Sequence, residues 1–322
     1  MRTLGGRYEL ERRIGIGGMS EVWRAHDLVL DRTVAVKLIS PVRDGEAGSV
    51  ARIRDEARSA ARLVHPNVAS VHDFGTSPAP GGREVPYIVM ELAEGETLAA
   101  HLRGGPLDWR IAVRVCAEVS AALAAAHADG IVHRDVKPAN VVLTPTGVKV
   151  LDFGIATSAG AADDTPEGIV LGTPAYLAPE QLDRHPATPA ADMYALGVLL
   201  YYCLAGRLPY PAGGSATQLI GERRRRPPQP LPEVDGLPVE IADLCRRCLA
   251  DDPAVRPTSL MAALLLAEAV DARVYVPMRA AVPRQRRVSV SPWTERAAAE
   301  ATEAMAVEPG PAGRPRSGVP GR

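Results

Sequence analysis

The stretch Ile131-Val-His-Arg-Asp-Val-Lys-Pro-Ala-Asn-Val-Val-Leu143, followed by Val148-Lys-Val-Leu-Asp-Phe-Gly154, decides how this chain reads. Val141–Leu143 and Val148–Leu151 are short apolar runs on either side of Thr144-Pro-Thr-Gly147, the composition of a tight turn between two strands. Such a hairpin holds its two approaches side by side. Asp135 and Asn140 lie just before its first strand and Asp152 just after its second. Polar side chains, two of them carboxylates, therefore converge at one end of a rigid element. Oxygen donors gathered in this way suit a hard divalent cation that keeps some waters and shares its coordination with phosphates.

Residue usage adds weight to the same positions. Of 37 Lys plus Arg, only Lys37, Lys137 and Lys149 are lysine. A chain that uses arginine nearly everywhere keeps the compact ammonium at Lys37 and Lys137, and the two side chains are not interchangeable. Asparagine occurs only at Asn67 and Asn140, and phenylalanine only at Phe74 and Phe153. Rare residue types fall on the motif.

His133-Arg-Asp135 with Lys137 and Asn140, then Asp152-Phe-Gly154, resembles the catalytic core of protein kinases. Lys137, two residues after the aspartate, is the form found in kinases of serine and threonine. The resemblance, to bacterial eukaryotic-like (Hanks-type) serine/threonine kinases, covers about Tyr8 to Ala272. It implies an α+β, two-lobed kinase fold: a small β-rich N-lobe over 1–92 and a larger α-helical C-lobe over 93–272. It also implies transfer of the γ-phosphoryl of ATP, with Mg2+ or Mn2+, to protein Ser and Thr hydroxyls. In that scheme Asp135 orients the hydroxyl and accepts its proton, and Lys137 balances the moving charge. Asn140 and Asp152 hold the metal, and Thr173 bridges Asp135 and Lys137.

The first 92 residues fit this reading. Tyr8–Ile14 and Ser20–His26 are strand-like around Gly15-Ile-Gly-Gly-Met19, where glycines let a backbone approach phosphates closely. A glycine-rich hairpin alone fits an ordinary turn as well. A dinucleotide fold would need a helix straight after the glycines. Here the glycines lead instead into the strand-like Glu21-Val-Trp-Arg-Ala and a third strand, Thr33–Ile39, carrying Lys37. Gly15, Gly17, Gly18, Met19 and Ser20 thus become a lid over phosphates, with Ser20 where the general pattern has its third glycine. Lys37 reads either as a lysine snorkelling from an edge strand or as a phosphate ligand. The second reading needs a protein anion, and by resemblance Glu56, in the helical stretch Ser49–Leu63, pairs with it when that helix is swung in. Asp55 faces elsewhere and is solvated.

A Pro/Gly-rich loop is expected over Thr76–Arg83, then the strand Tyr87–Leu92 and a hinge at Ala93-Glu-Gly95. The resemblance implies that Met90 limits the back of an adenine pocket and that the backbone of Glu91 and Ala93 bonds the base. Ile14, Val22, Ala35 and Val142 sandwich it. Helices are expected at Thr97–Leu102, Asp108–Asp129, Ala190–Ala205 and Pro238–Leu249. By resemblance Asp192 holds the backbone of the catalytic loop, and Arg256 anchors Glu180 at the end of the substrate-receiving segment Gly172–Glu180. Cys245-Arg-Arg-Cys248 has redox or zinc spacing, but lies in an apolar-periodic helix with no partner pair, so two core-facing thiols fit better. Glu222-Arg-Arg-Arg-Arg226 reads as a solvated basic face or as a contributor to substrate choice.

A formal net charge of −1 gives no electrostatic reason to expect nucleic acid. No apolar run approaches bilayer length, the best being Ala195–Ala205, and the N-terminus lacks a signal-peptide core, so a cytoplasmic setting without a membrane span is expected. Arg273–Arg322 carries no sustained apolar pattern and reads as a disordered tail with one marginal helix. Deleting it is expected to leave catalysis intact. Between Asp152 and Glu180, Thr157, Ser158, Thr165 and Thr173 are possible phosphate acceptors. Thr165 is the expected site of autophosphorylation, with Arg134 and Arg58 as receivers and a kinase dimer as the partner for reaction in trans. Two other classes stay open: a scaffold that binds without turnover, and a small-molecule phosphotransferase. The complete set Lys37, Glu56, Asp135, Asn140 and Asp152 weighs against the first, and Lys137 with Gly172–Glu180 against the second.

Overall fold

The computed structural model of the chain describes residues 2–17, 20–39, 47–79, 83–153, 175–183, 185–210, 220–221, 223 and 225–276. Six strands come first: β1 (Arg2–Leu4), β2 (Tyr8–Ile16), β3 (Ser20–Asp27), β4 (Arg32–Ile39), β5 (Val71–Ala79) and β6 (Arg83–Met90). They form one antiparallel sheet in the order β1-β2-β3-β4-β6-β5. The central strand β4 shows why the sheet has two distinct faces. Successive side chains point to opposite sides, so Val34, Val36 and Leu38 pack with Leu4, Tyr8, Leu10, Tyr87 and Val89. Ala35 and Ile39 pack on the other face with Ile88, Met90 and with Ile53, Ala57 and Ala60 of helix α1 (Ala47–Ala60). Lys37, between Ala35 and Ile39 in that alternation, is placed on the α1 side by the same period.

The loop expected over Thr76–Arg83 is largely sheet. Thr76, Ser77 and Pro78 pair with Pro86, Val85 and Glu84. Pro78 cannot donate to a ladder, but β5 is an edge strand, where this is tolerated.

The second part is helical: α2 (Leu98–His101), α3 (Trp109–Ala128), α4 (Pro179–Leu182), α5 (Pro189–Ala205), α6 (Val239–Cys248) and α7 (Ser259–Ala269). Asp108 caps α3, accepting a hydrogen bond from the Arg110 amide at 2.9 Å. α3 is also the one helix among the described residues long and apolar enough to cross a bilayer, which corrects the expectation that no such run exists. Its alanines make it pass that test, yet most of it is buried as a core helix, packed with α5 and α7. Ser120 Oγ donates to the Ser259 carbonyl at 2.8 Å, tying α3 to α7.

A small second sheet, β7 (Glu96–Thr97), β8 (Val141–Thr144) and β9 (Gly147–Val150), carries the expected hairpin. Gly147 has φ +124°, and a Cβ there would lie 2.8 Å from Glu118 Oε2. Glu118, buried on α3, accepts from the Val148 amide at 2.6 Å and from Asn67 Nδ2 at 3.2 Å. The Asn67 carbonyl accepts from the Val150 amide at 2.8 Å, and the Ala69 amide donates back to Val150 at 3.0 Å. The strand leading to Asp152 is thereby fixed to the segment that succeeds α1. At the far end, His65 Nε2 lies 2.9 Å from the Tyr275 carbonyl. Arg273–Val276 therefore continue the folded unit instead of opening a tail at residue 273.

Candidate active site

The site is built on the hairpin's two approaches. Arg134 and Asp152 both have left-handed backbone, φ 70° and 60°, which side chains other than glycine adopt only when held. Asp192, 1% exposed on α5, supplies the hold for the first. Its Oδ1 accepts from the Arg134 amide at 2.8 Å and its Oδ2 from the His133 amide at 2.8 Å. His127 Nε2 lies 2.8 Å from the same Oδ2. The role expected of Asp192 is thus visible as two directed hydrogen bonds. His133 is fully buried. Its Nδ1 accepts from the Asp135 amide at 3.2 Å, so the ring proton sits on Nε2 and is donated to the Leu151 carbonyl at 2.9 Å. This ring spans the two approaches, and Phe153 packs against it with centroids 4.5 Å apart.

Asp135 receives Lys137 Nζ at 2.7 Å and Asn140 Nδ2 at 2.9 Å, both on Oδ2. Asn140, placed by the 3-10 turn Pro138–Asn140, donates a second time to the Asp135 carbonyl at 2.8 Å. With Nδ2 doubly engaged, the amide orientation is fixed and Oδ1 is the atom available to a cation. The Leu151 amide donates to the Asn140 carbonyl at 2.9 Å, which seats Asp152 beside it. Among the described residues no cluster of three or more His, Cys, Asp or Glu side chains is arranged to hold a metal. One amide oxygen and one carboxylate instead fit a hard cation that takes the rest of its shell from phosphate and water.

Lys37, only 9% exposed, places Nζ 3.0 Å from Asp152 Oδ2. Asp152 is thus one carboxylate on the ammonium. Glu56 stands half-buried on α1. Burying an ammonium demands such a partner, and the ion pair joins the first sheet to the catalytic hairpin. Asp55 is exposed and pairs with Arg58 at 3.4 Å.

The register explains the expected adenine pocket. Val22 is opposite Lys37, Gly15 opposite Val22, and Ala35 opposite Met90. Ala35, Met90 and Val142 are buried, Val22 and Ala93 half-buried, and Ile14 exposed at the edge. The Gly17 amide bonds the Ser20 carbonyl at 2.7 Å, closing the turn. The Glu91 amide is spent on the Ser70 carbonyl at 2.8 Å, so its carbonyl is the backbone atom it can offer a base. Gly95 is a close approach, since a Cβ there would meet the Leu143 carbonyl oxygen at 2.0 Å.

One contact at the hinge has no counterpart among the sequence expectations. Lys149 Nζ lies 2.7 Å from Glu91 Oε1 and 3.4 Å from the Val68 carbonyl, linking β9 to the hinge. Its rarity as one of three lysines was the available signal. Arg256 meets Glu180 as expected, in a bidentate pair of 2.7 and 2.8 Å. The cysteines are free and buried, and burial pushes the Cys248 thiol up to about 12, which leaves it unreactive. Gly18, Met19, Thr157, Ser158, Thr165 and Thr173 lie outside the described residues.

Comparison with known proteins agrees with this geometry. Residues 8–269 match the protein kinase domain family. The serine/threonine-protein kinase PknA of Mycobacterium tuberculosis is 45% identical over 256 residues, covering 79% of this chain and 59% of PknA. PknL of the same organism is 38% identical over 285 residues, 87% of this chain and 70% of PknL. PrkC of Bacillus subtilis is 36% identical over 254 residues, 78% of this chain and 38% of PrkC. The chain thus spans about three-fifths of the length of PknA.

Proposed function

Because the chain belongs to the protein kinase domain family, we propose that it transfers the γ-phosphoryl group of ATP to serine and threonine hydroxyls of proteins, itself included. The observation that carries this is the set Asp135–Lys137–Asn140 bound together within 3 Å and facing the Lys37–Asp152 pair. In such transfer the protein mainly positions groups and neutralises charge. Asp135 Oδ1 orients the acceptor hydroxyl and takes its proton as the oxygen bonds to phosphorus and ADP departs. Lys137 holds Oδ2 and offsets charge on the transferred group. Lys37 binds the α- and β-phosphates, and the amides of Gly15–Ser20 cover them. Asn140 Oδ1 and Asp152 would hold Mg2+ or Mn2+, which when bound shields phosphate charge. Thr173 bridges Asp135 and Lys137. Glu56 pairs with Lys37 when α1 swings in.

The reading extends to protein substrates as partners, a second copy for autophosphorylation at Thr165, and a cytoplasmic site of action. The similar proteins from Mycobacterium tuberculosis and Bacillus subtilis are named as serine/threonine kinases, which supports it. Incubation of the purified chain with labelled ATP, with and without a generic protein substrate, tests it. Label should enter protein, and Lys37→Met should abolish incorporation while remaining folded. Label in neither chain nor substrate, or parental turnover by a folded Lys37→Met variant, would refute the reading.

A further inference from the structure

The arginine run of 223–226 divides in space. Arg225 and Arg226 are exposed, whereas Arg223 is 8% exposed. A guanidinium is not buried without groups to receive it. Arg223 donates from Nη2 to the Leu177 carbonyl. Its Cζ lies 5.4 Å from the ring centre of Tyr194 and 4.9 Å from that of Tyr210, within cation–π range of both. The two hydroxyls are themselves 2.8 Å apart, so the pair of rings forms one fixed cradle. Arg256 lies over the same Tyr194 ring at 5.1 Å, and it is the residue that grips Glu180. A single fully buried phenol ring thus seats two guanidinium groups. One fixes Leu177, the other Glu180 three residues on.

Leu177 is not a neutral place to hold. With Tyr176 it lines a small cavity of about 10 Å³ together with Arg134, Asp135 and Val136. Leu177 therefore stands beside Asp135, the residue to which the kinase reading brings the acceptor hydroxyl. The nucleotide side is made of other elements, β2 to β4 and β6 with Val142, none of which contributes to the tyrosine cradle.

We propose that Arg223 is a positioning residue for the acceptor: its guanidinium, seated on Tyr194 and Tyr210, fixes Leu177 and thereby sets the wall of the groove that receives the peptide bearing the Ser or Thr. This rests on the kinase reading and deepens it, because it assigns the arginine to the acceptor side of the reaction. Among the described residues of the basic run, Arg223 is the buried one, and it is the one that shapes the groove.

Two variants test it. Arg223→Lys keeps a charged donor but loses the planar fork, and Arg223→Met keeps length without charge. Steady-state kinetics with a Ser/Thr peptide give separate KM values for peptide and ATP. Hydrogen exchange read by mass spectrometry tracks the amides of Ala175–Glu180. The peptide KM should rise about tenfold or more in Arg223→Met, the scale of one lost charge-assisted hydrogen bond, and by less in Arg223→Lys. The ATP KM should stay within about twofold, and exchange should quicken about tenfold at Ala175–Glu180 but not along α5. A peptide KM unchanged in both variants, an equal rise in the ATP KM, or exchange that quickens throughout α5 would overturn the proposal. If Arg223→Met does not fold, Arg223→Lys decides by the same criteria. If the parent chain phosphorylates no peptide, the kinase reading fails by itself, and the exchange rates alone decide whether Arg223 holds the wall.

Discussion

Replacing Asp192 by Asn removes one oxygen from a group that serves three donors in the core. The amide has two orientations. With its oxygen at the Oδ2 position it keeps the His133 amide and His127, and turns its NH2 against the Arg134 amide. The reverse orientation sacrifices two contacts, so the first is preferred. The variant then loses a hydrogen bond to a charged acceptor, about 1.5–3 kcal/mol. It also leaves Arg134, at φ 70°, without the bond that holds it in a conformation costing about 1–2 kcal/mol. Part of that strain relaxes on release, so a net loss of about 2–4 kcal/mol is expected, confined to the loop that presents Asp135. At about 1.4 kcal/mol per factor of ten, the competent loop conformer falls by about 30-fold or more, and kcat with it. The ATP KM should hold, since Lys37, Ala35 and Met90 are untouched. Urea unfolding and steady-state kinetics on a generic peptide make the test. A variant with parental kcat and an unfolding free energy within about 0.5 kcal/mol of the parent would show that Asp192 does not hold the loop.

Four further outcomes rest on particular contacts. Asn140→Asp replaces a doubly donating amide by a carboxylate facing Asp135, so kcat should fall by about tenfold or more and the Mg2+/Mn2+ titration should shift; parental values for both would exclude Asn140 as ligand and brace. Gly95→Ala drives a methyl into the Leu143 carbonyl, separating the hinge from β8, and should raise the ATP KM about tenfold or more with little change in peptide KM; equal values in variant and parent would show that the hinge shifts freely. Truncation after Val276 should preserve melting temperature and peptide kinetics, whereas truncation after Val270 removes the Tyr275 carbonyl from His65 and should lower both; identical behaviour of the two would show that the docking contributes nothing. His65 adds a pH signature, because burial lowers its affinity for a proton. The folded value lies below the ordinary one near 6.5, so its contribution is complete above that pH and is lost as pH falls through the folded value. Denaturation midpoints measured from pH 8 to 5 should show a steeper acid loss in the parent than in His65→Gln.

Much of the site was legible along the chain because it is local. Asp135, Lys137 and Asn140 fall within six residues, Asp152 is brought to them by a two-residue turn, and rare residue types mark them. Strand alternation placed Lys37 and Ala35 on one face, since the period of two needs no tertiary information. What the chain could not disclose were contacts chosen by packing. Lys37 meets Asp152 across 115 positions only because the first sheet and the catalytic hairpin close on each other. Arg223 differs from Arg225 and Arg226 only in what lies beneath it, a pair of tyrosines 16 residues apart, one on α5 and one in the loop after it. Lys149 finds Glu91 across 58 positions. α3 carries enough alanine to pass for a membrane helix, and burial against α5 and α7 makes it the core of a lobe. Local sequence fixes which chemistry a residue can offer and which face of an element it occupies; the partner that a buried charge meets depends on how whole elements close over it, because desolvation makes an unpaired charge too costly to leave to chance.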